Sequence, residues 1–246
     1  MKPIDTEPLF RDGLHYDALN NIEHDLPFWL EHANGSVLEL ACGTGRISIP
    51  MAKMSLDVTG VDISKGMLTR AKEKAEEANV SINFIEGDFR NVDLNKKFDT
   101  IICPFNSFQH LHDLESMISF LNVVKAHLKP EGKFIFDIFN PDLNLLLNND
   151  IDFPAREYMN PYFPDEKVIM KDIRNYDKVT QINHITRMYT MKGERKPYML
   201  NMRVYFPAEI DNYLIMNGFK ILSKYGSFQK EEFNSDSGKQ IFVCGQ

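Results

Sequence analysis

Two glycines and three carboxylates are the residues of this 246-residue chain whose types and spacing best suit chemistry. From Ser36 to Ser48 the sequence reads SVLELACGTGRIS. An apolar run, Val37 to Leu40, carries Glu39 and passes into Ala41-Cys42-Gly43-Thr44-Gly45, after which Ile47, Ile49, Met51 and Ala52 recur at helical spacing within Arg46 to Met54. This is a strand, a glycine turn and a helix. Gly43 and Gly45 lack Cβ and can take positive φ, so a ligand can approach the backbone, while the helix start offers N–H groups with no intrahelical acceptor. Asp62 closes a second apolar run, Leu56 to Val61, and a carboxylate at such a strand end can accept both hydroxyls of a ribose. Asp88, in Glu86-Gly87-Asp88-Phe89, ends a third run in the same way, although taken alone it reads better as a helix or turn cap. The set is built to hold a small molecule.

Neighbouring residues narrow the class. A dinucleotide fingerprint needs Gly or Ala where this chain has Ser48, and no Gly-Lys-Ser/Thr of a phosphate loop follows. Cys42, Cys103 and Cys244 are too few and too isolated for a disulfide framework or a C-x-x-C metal site, and no metal is expected. A net charge of −7 and a pI near 5.5 argue against a nucleic acid or an anionic membrane as partner. No apolar run approaches the roughly 18 residues of a membrane span, and Met1 to Asp5 opens nothing like a signal peptide, so a cytoplasmic location is expected.

The elements that must position these residues alternate. Ser64 caps a helix striped by Met67, Leu68, Ala71, Ala75 and Ala78; Ser81 to Ile85 is a third strand and Phe98 to Asn106 a fourth. Asp113 caps a helix with Leu114, Met117, Ile118, Leu121, Val124 and Leu128 on one face, ending at Lys129-Pro130-Glu131-Gly132 before a fifth strand, Lys133 to Phe139. Such alternation predicts an α/β fold: a doubly wound, mostly parallel, Rossmann-like seven-stranded sheet with ligands at the carboxyl ends of its strands. From about Ala155 the period changes to two. Lys167 to Tyr176 and Thr180 to Met191 flank a turn at Asp177-Lys178, and Lys192-Gly193 makes another. Tyr198, Leu200, Met202, Val204 and Phe206 then alternate. An inserted antiparallel β-sheet is expected over residues 150–206, between two parts of the main domain, 1–149 and 207–246. The latter holds a helix from near Pro207 and two strands, Phe219 to Tyr225 and Gln240 to Cys244. The insert is placed to roof the pocket, with Arg203 and Tyr205 on one face beside Arg187 and Tyr189 as substrate contacts; the alternative is that this face meets solvent or a second subunit. Residues 9–34 are aromatic and amphipathic, with Leu26, Trp29, Leu30 and Ala33 at helical spacing. Phe10, Tyr16 and Asp17 there either pack a surface helix or cover the site.

The segment Glu39-Leu40-Ala41-Cys42-Gly43-Thr44-Gly45 resembles the glycine motif of class I S-adenosylmethionine-dependent methyltransferases. Asp62, Gly87-Asp88-Phe89, Phe98-Asp99-Thr100-Ile101-Ile102 leading to Asn106, and Leu128-Lys129-Pro130-Glu131-Gly132-Lys133 follow in that family's order, so the likeness covers residues 36 to about 140. Ala41 replaces the commoner Gly, a departure that suits a backbone with φ below zero. The resemblance implies S-adenosylmethionine as cofactor and S-adenosylhomocysteine as product. It places Glu39, Gly43 and Gly45 at the methionine end, Asp62 at the ribose and Asp88 with Phe89 at the adenine. Ala41, Ile63, Met67, Phe105 and Asn106 complete the implied cofactor set, and Tyr16 comes from a segment that closes over it. An aromatic face near a sulfonium would contribute about 0.5–2 kcal/mol.

In position and strand character the insert resembles that of sugar-amine and glycine-type N-methyltransferases. This implies a small-molecule acceptor, an amine, and a monomer or homodimer. Neither Asn140-Pro141-Asp142-Leu143 nor Cys103-Pro104-Phe105-Asn106 is the Asn/Asp-Pro-Pro-aromatic motif of enzymes acting on exocyclic base amines. A general base is needed only if the nucleophile must lose a proton early; His110, His112, His184 and Tyr16 are candidates by type. O- or carboxyl-methyl transfer, a nicotinamide dehydrogenase on the same sheet, and a cofactor-binding module without turnover remain as alternatives. Ser48 and the Gly87-Asp88 block argue against the dehydrogenase.

Overall fold

β1 (Ser36–Leu40) is buried along its whole length, as a central parallel strand covered on both faces must be. The computed structural model describes residues 12–148 and 153–246; Phe10 lies outside them. In chain order the elements are α1 (Gly13–Leu19), α2 (Leu26–His32), β1, α3 (Ser48–Lys53), β2 (Asp57–Asp62), α4 (Lys65–Glu77), β3 (Asn83–Glu86), β4 (Phe98–Cys103), a 3-10 turn (Ser107–His110), α5 (Leu114–His127), β5 (Leu128–Phe139) and α6 (Leu143–Leu147). There follow β6 (Arg156–Asn160), β7 (Phe163–Asp177), β8 (Ile182–Met191), β9 (Glu194–Arg203), α7 (Pro207–Met216), β10 (Lys220–Tyr225) and β11 (Lys239–Gly245).

The main sheet has seven strands in the order β10-β11-β5-β4-β1-β2-β3. All pairs are parallel except those made by β11 with β5 and β10. Its two faces bury separate clusters: Leu38, Leu40, Phe108, Phe120, Phe134, Phe136, Ile210 and Phe242 on one, and Phe28, Trp29, Val37, Ile47, Met51 and Ile135 on the other. Each such side chain, fully buried, contributes about 1.5–3 kcal/mol. Chain order reverses between β4 and β1, so the carboxyl ends of β1, β2 and β4 meet at the switch point where open α/β sheets bind ligands.

The expected boundaries move in three places. The helix after the glycine turn begins at Ser48, because the turn runs on through Ile47. Residues 9–34 contain two short helices, α2 having a Pro in its first turn. β5 starts at Leu128 rather than Lys133: Lys129 precedes Pro130, which disfavours helical backbone, and a register shift separates the Phe98–Leu128 and Thr100–Lys133 pairs.

Between β5 and α7 a second, four-stranded antiparallel sheet runs β6-β7-β8-β9; β6 had no forecast. Its register corrects the assignment of faces. Arg187 lies opposite Tyr198 and Ile185 opposite Leu200, and directly opposed residues share a face. Arg187 and Tyr189 are therefore on the same side as Tyr198, Leu200 and Met202, whereas Arg203, which pairs with Ile182, points to the other. β9 ends at Arg203, so Val204, Tyr205 and Phe206 are linker to α7.

Candidate functional site

The glycine turn is opened by three consecutive odd positions: Ala41 at φ 60°, Gly43 at 55° and Gly45 at 75°. Ala41 therefore does not have the negative φ expected of it. The left-handed region costs an L residue about 1–2 kcal/mol, and the turn needs it to carry the chain from β1 across the sheet edge. A Cβ built on Gly43 would meet nothing within 4 Å, so this is the open position. Gly45 faces inward, where its Cβ would lie 3.2 Å from Ile49 and 3.3 Å from Phe84; it serves packing beneath the turn.

Asp62 holds the turn from below. One carboxylate oxygen accepts Gly43 N–H and the other Ser64 N–H, both at 2.8 Å. Asp62 also lines a cavity, together with Ile63, Ser64, Met67, Ala41 and Gly43. Burial raises the Asp62 carboxyl above its ordinary value, with the backbone N–H groups of Ser64, Gly43 and Ile63 opposing it. Glu39 does not reach the cavity. It is buried under the turn, accepts a hydrogen bond from the Ser48 hydroxyl, and is pushed up to about 7 by burial. Ser48 thus has a positive role where a dinucleotide site would carry a small packing residue.

α1 supplies the lid at this end. Tyr16 lines the cavity, and its phenol is driven up by burial, partly countered by Arg46. The neighbouring Asp17 accepts from Thr44 Oγ1 at 2.5 Å, Lys74 Nζ at 3.0 Å and Arg70 Nε at 3.2 Å, which pins the helix over the turn and α4. On its far side, His15 Nδ1 meets Tyr158 Oη at 3.0 Å, and Tyr162 donates to Asp12 at 3.0 Å. Arg46 makes a bidentate pair with Asp25 at 2.6 and 2.7 Å and lies over the Phe105 ring.

The wall after β4 is strained. Phe105 and Asn106 both take left-handed backbone, φ 59° and 61°, and are held there from β5 and β11. Phe105 N–H donates to Asp137 Oδ1 at 2.6 Å, and Lys239 Nζ bridges Asp137 Oδ2 and Asn106 Oδ1, each at 2.6 Å. Asp137 has no solvent exposure. Phe105, Asn106, Ser107 and His110 all line the cavity. Burial, with His112 adding to it, lowers the His110 imidazole to about 4, so it is neutral near pH 7.

Beyond the end of β3, Phe89 lines the cavity but Asp88 does not. Burial alone would raise the Asp88 carboxyl; Arg90, bonded through Nε at 2.9 Å and a terminal nitrogen at 2.5 Å, outweighs it and holds it low. The inserted sheet closes the opposite side with Arg156, Met170, Asp172, Arg174, Ile185, Arg187, Leu200 and Met202. The whole space is about 470 Å³, within the ordinary range for small-ligand sites.

Of the residues expected at the site, the cavity thus gathers Tyr16, Ala41, Gly43, Asp62, Ile63, Met67, Phe89, Phe105, Asn106, His110 and Arg187. Glu39, Gly45 and Asp88 stand behind it. His184 bonds Asn201 at 2.7 Å on the outer face of the inserted sheet, His112 bonds the Asn201 carbonyl, and Tyr189 is buried beside Tyr198. Arg203 ties β9 to Glu209 at 2.8 Å, to Gln181 and to the His112 carbonyl. Asn20, Arg156, Asp172 and Arg174 went unnoticed in the sequence. The signal for two of them was there, since Met170, Asp172 and Arg174 alternate on one face of a long strand.

Residues 37–132 match the family described as Methyltransferase domain. A glycine/sarcosine N-methyltransferase of Aphanothece halophytica is 30% identical over 219 residues, 87% of this chain and 77% of that protein. A ubiquinone biosynthesis O-methyltransferase of Rickettsia conorii is 30% identical over 67% of this chain and 58% of its own length. For several other curated relatives the chain spans about half of their length or less. Among solved structures, an S-adenosylmethionine-dependent methyltransferase from Clostridium acetobutylicum superposes with a TM-score of 0.77 at 22% identity, covering 94% of this chain and 95% of that one. No described helix is long and apolar enough to cross a membrane. The chain belongs to the S-adenosylmethionine-dependent methyltransferases.

Proposed function

We propose that this chain transfers a methyl group to the nitrogen of a small amine. S-adenosylmethionine, when bound, supplies an electrophilic methyl on a sulfonium. The chain's own part is to hold the acceptor in line and keep water out. Gly43 and Asp62 are assigned to the cofactor's methionine and ribose portions, Phe89 to its adenine, and Tyr16 with α1 to its cover. Asp88, engaged by Arg90, shapes the adenine end from behind.

The observation that carries an amine over a hydroxyl is the 30% identity, over 87% of this chain, to a glycine/sarcosine N-methyltransferase, and the surroundings of His110 agree with it. His110 is the imidazole facing the cavity among the described residues, and burial keeps it neutral with a basicity near 4. A group so weakly basic does not strip a proton from an alcohol. It can accept a hydrogen bond from an N–H and point the nitrogen's lone pair, which becomes available once the amine has lost its proton to solvent.

The test is release of S-adenosylhomocysteine over matched pairs of small amines and hydroxyl compounds of the same skeleton. Amines should turn over, with a rate that rises with pH as the amine itself deprotonates. Comparable turnover of the hydroxyl partners would overturn the reading. The assignment of Asp62 is checked separately: Asp62→Ala should weaken S-adenosylmethionine binding about tenfold to a hundredfold by calorimetry, the loss of a charged hydrogen bond worth about 1.5–3 kcal/mol. An unchanged dissociation constant in the folded variant would refute it.

A further inference from the structure

The roof of the cavity carries more positive charge than it balances. Strand register places Asp172 opposite Arg187, Arg174 opposite Ile185 and Arg156 opposite Met170, and all four charged side chains line the cavity from the inserted sheet. Arg187 spends its fork on Asp172, at 2.8 and 3.1 Å. Arg156 and Arg174 make no ion pair with a described carboxylate. Among the described residues the Arg156 guanidinium reaches Met170 Sδ, at 3.7 Å, and Arg174 stacks over the Phe153 ring at 3.9 Å with no acceptor for its buried Nε. Among the described residues, three guanidiniums here face one carboxylate.

Such an arrangement is costly with nothing to receive it. Arg174 is partly buried and Arg156 the most exposed of the three; burial works against both cations, Arg187 adds to it at Arg156 ahead of the opposing Asp172, and at Arg174 the opposing Asp172 comes ahead of Arg187. A guanidinium presents a planar fork of donors that matches a carboxylate or a phosphate. The floor of the same cavity, at Asp62, is acidic. The geometry points to an acceptor that carries an oxyanion, a carboxylate or a phosphate ester, seated between Arg156 and Arg174. This rests on the amine methyltransferase reading and names its substrate class. The anion is an anchor and is not itself methylated: held on the roof, it lies across the cavity from Gly43 and Asp62, and the other end of the molecule is the one offered to the cofactor. Arg187 is spoken for by Asp172, and its place is to stiffen the roof between the two free guanidiniums.

The experiment uses the full chain with S-adenosylmethionine and three sets of acceptors: amines bearing a carboxylate, amines bearing a phosphate ester, and the neutral amides or alcohols of the same skeletons. One of the two anionic sets should show kcat/KM at least roughly tenfold above its neutral counterparts, and which one tells carboxylate from phosphate. Arg156→Met and Arg174→Met should each reduce that anionic-to-neutral ratio roughly tenfold or more through KM, while Arg174→Lys keeps part of it. The S-adenosylmethionine dissociation constant, staying within threefold, shows that the variants fold. Equal use of neutral and anionic amines would overturn the oxyanion anchor and leave the amine reading standing. Turnover of anionic hydroxyl compounds with amines inert would keep the anchor and remove the amine reading. A ratio unmoved in both methionine variants would also overturn it.

Discussion

Ala41 shows how a single Cβ sits at odds with a turn that function requires. Its φ of 60° is one that Gly takes freely, and the position opens on the cavity, so the side chain is tolerated at the expense of backbone strain. Ala41→Gly should raise stability by about 1 kcal/mol, read as a higher denaturant midpoint with unchanged slope. A loss of stability would mean that the methyl group packs against something more valuable than the strain it causes. The same residue marks a limit of reading from sequence. That Gly43 and Gly45 form a turn was plain from their type and spacing. That one faces the cavity and the other Ile49 and Phe84 depends on a rotation of the chain that no residue name encodes. Glu39, likewise, was legible as a carboxylate at a strand end. Its hydroxyl partner Ser48, nine residues on, settles that it looks inward, where burial lifts it to about 7.

At the scale of elements, period and capping carried most of the fold. Ser64 and Asp113 cap α4 and α5 as their types suggested, and β7 to β9 follow the alternation of the sequence. Which face of those strands turns to the ligand was set by register, and a shift of one residue exchanges the faces. The assumption that the apolar positions point away from the ligand put Arg203 beside Arg187, when they stand on opposite sides of the sheet. α1 was invisible as a separate piece, since a seven-residue helix holds too few turns to show a period. It is ordered by tethers. Asp17→Asn weakens its ion pairs with Lys74 and Arg70, and should speed amide exchange over residues 13–19 and raise the S-adenosylmethionine dissociation constant about threefold to tenfold. Exchange left unchanged would show that α1 is held by its apolar contacts instead.

The described residues form two sheets that line one cavity between them. The main sheet supplies an acidic floor, the inserted sheet a basic roof, and Arg203 belongs to the joint between them: it links β9 to α7 and to the loop that follows the 3-10 turn. Arg203→Ala should therefore cost about 1.5–3 kcal/mol of stability, seen as a lower melting temperature, and leave KM for the acceptor unchanged. A rise in KM without loss of stability would return Arg203 to the substrate.

One feature joins floor and roof more directly. Through Asp17, α1 grips Thr44 in the glycine turn and two cations of α4; through His15 and Asp12, it grips Tyr158 of β6 and the neighbouring Tyr162. Any ligand that steadies this helix from one side spares the other ligand part of the entropy of ordering it. Cofactor and acceptor should then favour each other, and thermodynamic linkage makes the favour mutual: whatever factor the first gains the second, the second returns to the first.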